Sequence, residues 1–204
     1  MPKVYCAGPL FNSKEREEIE EIAAEFEKRD IEAYVPHRDG LELAKISKYL
    51  VQLKKEGINT DYILEKAIFA LDIYQIRISD AVVVNINGRV PDEGAMIEAG
   101  VAWSSGIPVI FYKDDVRTMI DGMDNPMLLG ACEFNIVNDK RRLVTEVNKR
   151  LDEQKKKFNN VVVSVSEVGK RIAFLLNRGK YSFEMVKELI EIFQEAEYGA
   201  AKAL

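Results

Sequence analysis

The sequence predicts an α/β protein: a five-stranded parallel sheet with helices on both faces, followed by a C-terminal helical hairpin. Three observations carry that reading. Short apolar runs such as Ala81-Val82-Val83-Val84-Asn85-Ile86 alternate with longer segments whose apolar residues recur at helical spacing. The links between them are short, as in βαβ units, whose crossovers are right-handed almost without exception. Beyond about residue 160 the alternation stops and two amphipathic helical segments follow.

Taken in order, Val4-Tyr5-Cys6-Ala7 is a buried strand ended by the turn pair Gly8-Pro9. Asn12 or Ser13 caps a helix over 13–29, with Ile19, Ile22, Ala23 and Phe26 on its inner face. Ile31 to Val35 is a second strand, stopped by Pro36. His37 to Gly40 reads as a polar loop, Leu43 to Glu56 as a helix ended by Gly57, and Thr60 as the cap of a helix to about Ser79. In that helix Asp72 sits between Ile68 and Ile76, each four residues away, which sets a carboxylate along an apolar stripe. Ala81 to Ile86 is the central strand. Pro108 to Tyr112 and Phe134 to Val137 are the fourth and fifth, and 140–158 is a charged surface helix. Ser164 or Ser166 caps the first helix of the hairpin, and Ser182 the second.

With 204 residues, 47% of them hydrophobic and 31% charged, the chain has the composition of an ordinary globular protein. One well-cored domain over 1–160 is expected, with an extension over 161–204 that packs on it or on a partner subunit. A net charge of −5 argues against binding to nucleic-acid polymers or anionic membranes, though not against small nucleosides. Cys6 and Cys132 are too few for a disulfide framework and suit a reducing, cytoplasmic setting. The opening MPKVYCAGPLF is too short in its apolar run for a signal peptide, and no apolar run is long enough to span a membrane. One histidine and two distant cysteines argue against a protein-built metal site.

The stretch Asn87 to Ser105, NGRVPDEGAMIEAGVAWSS, is the most unusual. It opens as a turn at Asn87-Gly88 and Pro91, then offers Asp92 and Glu93 at a helix start. From Gly94 to Trp103 the only polar side chain is Glu98. A helix apolar on every face is expected to be buried, and a carboxylate inside it must be paired, protonated or used in chemistry. In the flavodoxin-like strand order 2-1-3-4-5, ligands bind beyond the carboxyl ends of the first and third strands. The loops there are Tyr5–Phe11 and Asn87–Asp92, so Tyr5 and Glu98 are expected to meet, the phenol orienting the acid.

A buried, oriented carboxylate with further acids nearby suits substitution at an acetal-like carbon, where one carboxylate attacks and another acts as acid. No G-x-G-x-x-G supports hydride transfer, and no G-x-x-x-x-G-K-[ST] supports phosphoryl transfer. Ordinary roles stand beside these. Glu98 could pair with Arg89, Asp92 is a natural helix cap, and Tyr5, Trp103 and Phe69 read as core. His37 reads as a loop residue, and Glu15 to Glu27 as a solvated helix face.

YCAGPLF at Tyr5–Phe11, GRVPDEGAMIEAG at Gly88–Gly100 and DNPM at Asp124–Met127 together resemble the nucleoside 2-deoxyribosyltransferases, over roughly residues 1–137. The resemblance implies exchange of the base on a 2′-deoxynucleoside by double displacement, without a cofactor, in nucleotide salvage. Glu98 would be the nucleophile, Tyr5 would position it, and Asp92 with Asp72 would face the base and protonate it as it leaves. Phe11 would line the base pocket, and Gly8 and Gly88 would be among the substrate-binding residues. Asn125 would bind the sugar 5′-hydroxyl in a neighbouring subunit's site, with Met127 packing nearby. The implied partners are deoxynucleosides, free nucleobases and further copies of the chain, as a dimer or hexamer with shared sites. Two other functions are compatible with the residues: an N-glycosidase acting on 2′-deoxynucleoside 5′-monophosphates, and a non-catalytic nucleoside- or nucleotide-binding module.

Overall fold

The computed structural model describes residues 1–88, 90–117, 122–153, 163–179 and 181–201. The apolar runs form five strands: β1 (Lys3–Ala7), β2 (Glu32–Tyr34), β3 (Ala81–Asn85), β4 (Val109–Tyr112) and β5 (Ile136–Val137). Every neighbouring pair is parallel, and the order is β2-β1-β3-β4-β5, as the sequence predicts.

The chain divides into two compact units. The first comprises Met1–Asp39 and Ile76–Asn160. One face of its sheet, with Val4, Cys6, Val83 and Ile110, packs on α1 (Ser13–Glu27) and α7 (Leu143–Glu153). The other, with Tyr5, Tyr34, Val82 and Phe111, packs on Ala95, Ala99 and Ala102 of α5 (Glu93–Ser104). Alternate residues of each strand serve opposite faces, as the pleat requires. Asn12 closes α1 with a capping box, its side chain accepting from Glu15 N while Glu15 reaches back to Asn12 N.

The second unit comprises Gly40–Gln75 and Val161–Leu204. Here α3 (Leu43–Lys55) and α4 (Ile63–Ile78) supply Ile46, Leu53, Leu64, Ala67 and Leu71 to one cluster. From α8 (Val163–Asn177) and α9 (Phe183–Ala201) come Ile172, Leu175, Val186 and Leu189. Gly169 lets α8 approach α4 closely: a Cβ there would meet Ala70 O at 1.8 Å. Ser182 caps α9 by accepting from Met185 N at 3.1 Å. Segment 40–75 therefore shares a core with the hairpin, whereas the sequence reading assigned it to the first domain.

Several expectations need correction. α5 is not buried all round: Ile97 is 61% and Trp103 63% exposed, Ala95, Ala99 and Ala102 are its buried residues, and Met96 and Val101 pack partly buried beside them. Small side chains seat this helix closely and leave Ile97 and Trp103 outside. Trp103 and Phe69 are thus not core residues, Phe69 being half exposed on α4. Pro36–Asp39 is a short helix, α2, rather than a loop, because Asp39 accepts from Val35 N across its turn. Pro126–Ala131 forms α6, with Pro126 in the first turn, where a missing N–H costs nothing. Phe134 lies outside β5 with a left-handed φ of 62°. No helix among the described residues is long and apolar enough to cross a membrane.

Candidate active site

Tyr5 lies in the middle of β1, paired in register with Tyr34 of β2 and Val82 of β3. It is fully buried, and its hydroxyl donates to Glu98 Oε1 at 2.5 Å. Glu98, in the second turn of α5, is half buried, and its carboxylate is anchored on the protein side by this bond. A short O–H···O bond of this kind fixes the orientation of the acid against the sheet. The alternative partner proposed for Glu98, Arg89, lies outside the described residues.

Asp92 caps α5, its Oδ2 accepting from Ala95 N at 2.8 Å. It lies six positions before Glu98, about 9 Å of axial rise. Capping occupies one carboxylate oxygen of Asp92, and the other stays compatible with a catalytic role. Asp72 is half buried on α4, in the second unit.

Gly8 and Gly88 have structural reasons to be glycine. At Gly8, with φ of 156°, a Cβ would meet Ile19 Cδ1 at 2.6 Å and Asn85 Cβ at 3.0 Å. Gly88 has a φ of 108°, and its N–H donates to Asp115 Oδ2 at 3.0 Å. Phe11 is 80% exposed on the loop after β1, tethered through its N–H to Glu15. Asn125 caps α6, its Oδ1 accepting from Met127 N at 2.9 Å, and the Met127 side chain projects outward. Lys113, nearly buried, pairs with Asp124 at 2.5 Å just ahead of Asn125. His37 contacts Glu20 at 2.9 Å, an ordinary pairing for a residue beside a helix.

On the opposite face of the sheet, the carboxyl ends of β1, β3 and β4 border a cleft of about 550 Å³, lined in part by Pro9, Glu18, Asn87, Asp114 and Arg117. Its polar groups satisfy one another. Asn87 Nδ2 donates to Glu18 and Asp114, each at 2.7 Å, and its Oδ1 accepts from Asp114 N at 3.0 Å and Asp115 N at 3.2 Å. Glu18 also accepts from the buried Asn85 at 2.9 Å. Burial pushes the Asp114 carboxyl up, but hydrogen bonds from Tyr112 and Asn87 outweigh it and hold the group below its ordinary range. Hydrogen bonds from Arg117 hold Asp115 far below. Cys6 points to this face too, and burial pushes its thiol up to about 12.

Sequence reasoning missed three of these residues. Glu18 is half buried and pins two asparagines, so the α1 face is not simply solvated. Asn87 is a hub as well as a turn residue. The available signal was Asn85, an amide inside a β-branched run, which has to find partners. Tyr34, whose ring stacks on Tyr5 with centroids 5.5 Å apart, gave no signal beyond being an aromatic in a strand. Among the described residues no group of three His, Cys, Asp or Glu could hold a metal ion.

The doubly wound sheet with an acid anchored at its switch point defines a class, and comparison with known proteins supplies the family. The sequence model described as Nucleoside 2-deoxyribosyltransferase matches residues 4–162, and the chain belongs to that family. Solved structures share the fold. A conserved protein from Enterococcus faecalis V583 superposes with a TM-score of 0.55 at 21% identity, over 74% of this chain and 99% of that one. A 2-deoxyribosyltransferase from Bacillus psychrosaccharolyticus gives 0.55 at 16% identity, over 77% and 98%. Among curated proteins, none matches.

Proposed function

We propose that the chain transfers 2-deoxyribose between nucleobases, with Glu98 as the attacking carboxylate. The observation that carries this is the 2.5 Å bond from buried Tyr5 to Glu98 Oε1, which holds the acid in one orientation at the sheet's switch point. Membership of the deoxyribosyltransferase family supports the substrate class.

In the first displacement a carboxylate oxygen of Glu98 forms a bond to C1′ as the C1′–N bond breaks. The electron pair leaves with the base, which takes up a proton. Asp92 is the donor within this unit, through the oxygen not used in capping; Asp72 is assigned to the base by resemblance alone. In the second displacement a nitrogen of the incoming base attacks C1′, the C1′–O bond to Glu98 breaks, and the proton that the base gives up returns to Asp92. Water in its place gives hydrolysis as a side reaction. Double displacement through a carboxylate retains configuration at C1′.

The first unit carries exposed apolar side chains, Ile97, Trp103, Met127 and Phe134 among them, which a homo-oligomer would cover. Asn125 and Met127 are then available to a neighbour's site.

The test is base exchange. Protein incubated with deoxyinosine and adenine should yield deoxyadenosine and hypoxanthine by chromatography, and intact mass after brief exposure to deoxyinosine should include a deoxyribosyl adduct. Cleavage of deoxyadenosine monophosphate alone would replace this reading with the monophosphate N-glycosidase. No turnover of either substrate would leave a binding module.

A further inference from the structure

We infer that Tyr34 is a positioning residue, acting through Tyr5 on Glu98; this rests on the reading of Glu98 as the attacking carboxylate. Within Ala33-Tyr34-Val35 the neighbours Ala33 and Val35 face α1, and Tyr34 alone turns to the α5 side. There it meets Tyr5, its partner in the β1–β2 register. The rings stack with centroids 5.5 Å apart and planes 23° from parallel, and both are nearly or wholly buried. Lys3, two residues before Tyr5 on the same face, holds its Nζ 5.3 Å from the Tyr34 ring centroid and pairs with Glu32 at 2.8 Å.

The phenol oxygen of Tyr5 lies at the end of a long lever with two rotatable bonds. Its bond to Glu98 is only as well placed as the ring behind it. Tyr34 occupies the space on the β2 side into which that ring would otherwise tilt, and Lys3 and the β1–β2 backbone pairing hold Tyr34 in turn. Supporting side chains of this kind set a functional group to within a fraction of an ångström, and a misplacement of about 1 Å at a reacting group costs on the order of 10²-fold in rate. What Tyr34 contributes is a ring at this position, so phenylalanine should serve and an aliphatic side chain should not.

The experiment is a double-mutant cycle on the full chain, read by steady-state base exchange from deoxyinosine to adenine. Tyr34→Val should lower kcat roughly tenfold with KM within about twofold, and Tyr34→Phe should stay within about twofold of wild type. In a Tyr5→Phe background, Tyr34→Val should cost less than about twofold, because its effect passes through the missing hydroxyl. Tyr34→Met, which keeps volume without a ring, is run alongside so that the cycle closes even if the valine variant fails to fold. A tenfold loss repeated in full on Tyr5→Phe, a loss confined to KM, or wild-type turnover in both aliphatic variants would overturn the assignment. Glu98→Ala separates the two readings. If it retains exchange, the nucleophile is wrong; if it abolishes exchange while the Tyr34 series is flat, only this inference fails.

Discussion

Tyr5 and Cys6 are adjacent on β1, yet the two faces of the sheet treat them in opposite ways. Tyr5 turns to α5, where small alanines seat the helix and a half-open carboxylate receives the phenol at 2.5 Å. Cys6 turns to α1, into an apolar cluster whose rim is closed by saturated amides and acids, and burial pushes its thiol up to about 12. Both residues are wholly buried. What a buried group touches therefore matters more than its burial: one face pairs a phenol with a half-buried acid, and the other keeps a thiol protonated among apolar neighbours.

The comparison breaks first at Glu98. Glu98→Ala should lose at least ~10³-fold in exchange rate, since removing a covalent nucleophile costs that order or more, and single-turnover kinetics would reveal it. Tyr5→Phe comes next. A hydrogen bond to a charged group is worth about 1.5–3 kcal/mol, so loss of this one predicts a fall in kcat of roughly 10–100-fold. Cys6→Ala, one position along the same strand, should leave kcat within about twofold while lowering thermal stability, as core truncations do. A large kcat loss there would end the contrast between the faces.

Asp92 sharpens the contrast by splitting two roles. Asparagine still accepts from Ala95 N and caps α5, whereas alanine removes both cap and acid. If Asp92 protonates the base, both variants lose activity, but only Asp92→Ala also loses about 1 kcal/mol of stability in denaturant titration. Equal activity of Asp92→Asn and wild type would reduce Asp92 to a cap.

The smallest effect is on pH stability. The Cys6 thiol ionises near 9 when free and is held to about 12 in the fold, so above pH 9 the unfolded chain gives up a proton that the folded chain keeps. Its contribution is full below pH 9 and falls as pH rises toward 12, by up to about 1.4 kcal/mol per unit. Denaturant titrations of wild type and Cys6→Ala should diverge in that window, the variant losing less.

The sheet is legible in the sequence because a strand buried on both faces must be an unbroken apolar run, and Val82-Val83-Val84 permits little else. The Tyr5–Glu98 pair is legible for a related reason: the strand order fixes which loops meet, and Glu98 stands alone among apolar neighbours. What surrounds the pair is not legible. The apolar faces of α5 are equivalent on paper, and only the packing shows that Ala95, Ala99 and Ala102 are inside while Ile97 and Trp103 are out. The Tyr34 stack depends on the register of β1 against β2, which is a property of pairing and leaves no mark within either strand. Segment 40–75 reads as helices, but no local pattern says that its core partners lie a hundred residues on.

That last pairing gives synthesis a schedule. Segment 40–75 leaves the ribosome well before α8 and α9 exist, and those helices supply Ile172, Leu175, Val186 and Leu189 to its core. At 5–20 residues per second the wait is on the order of 10 s. Throughout it Ile46, Leu53, Leu64 and Leu71 lack the partners that cover them in the finished protein, so the second unit matures only as α8 and α9 emerge.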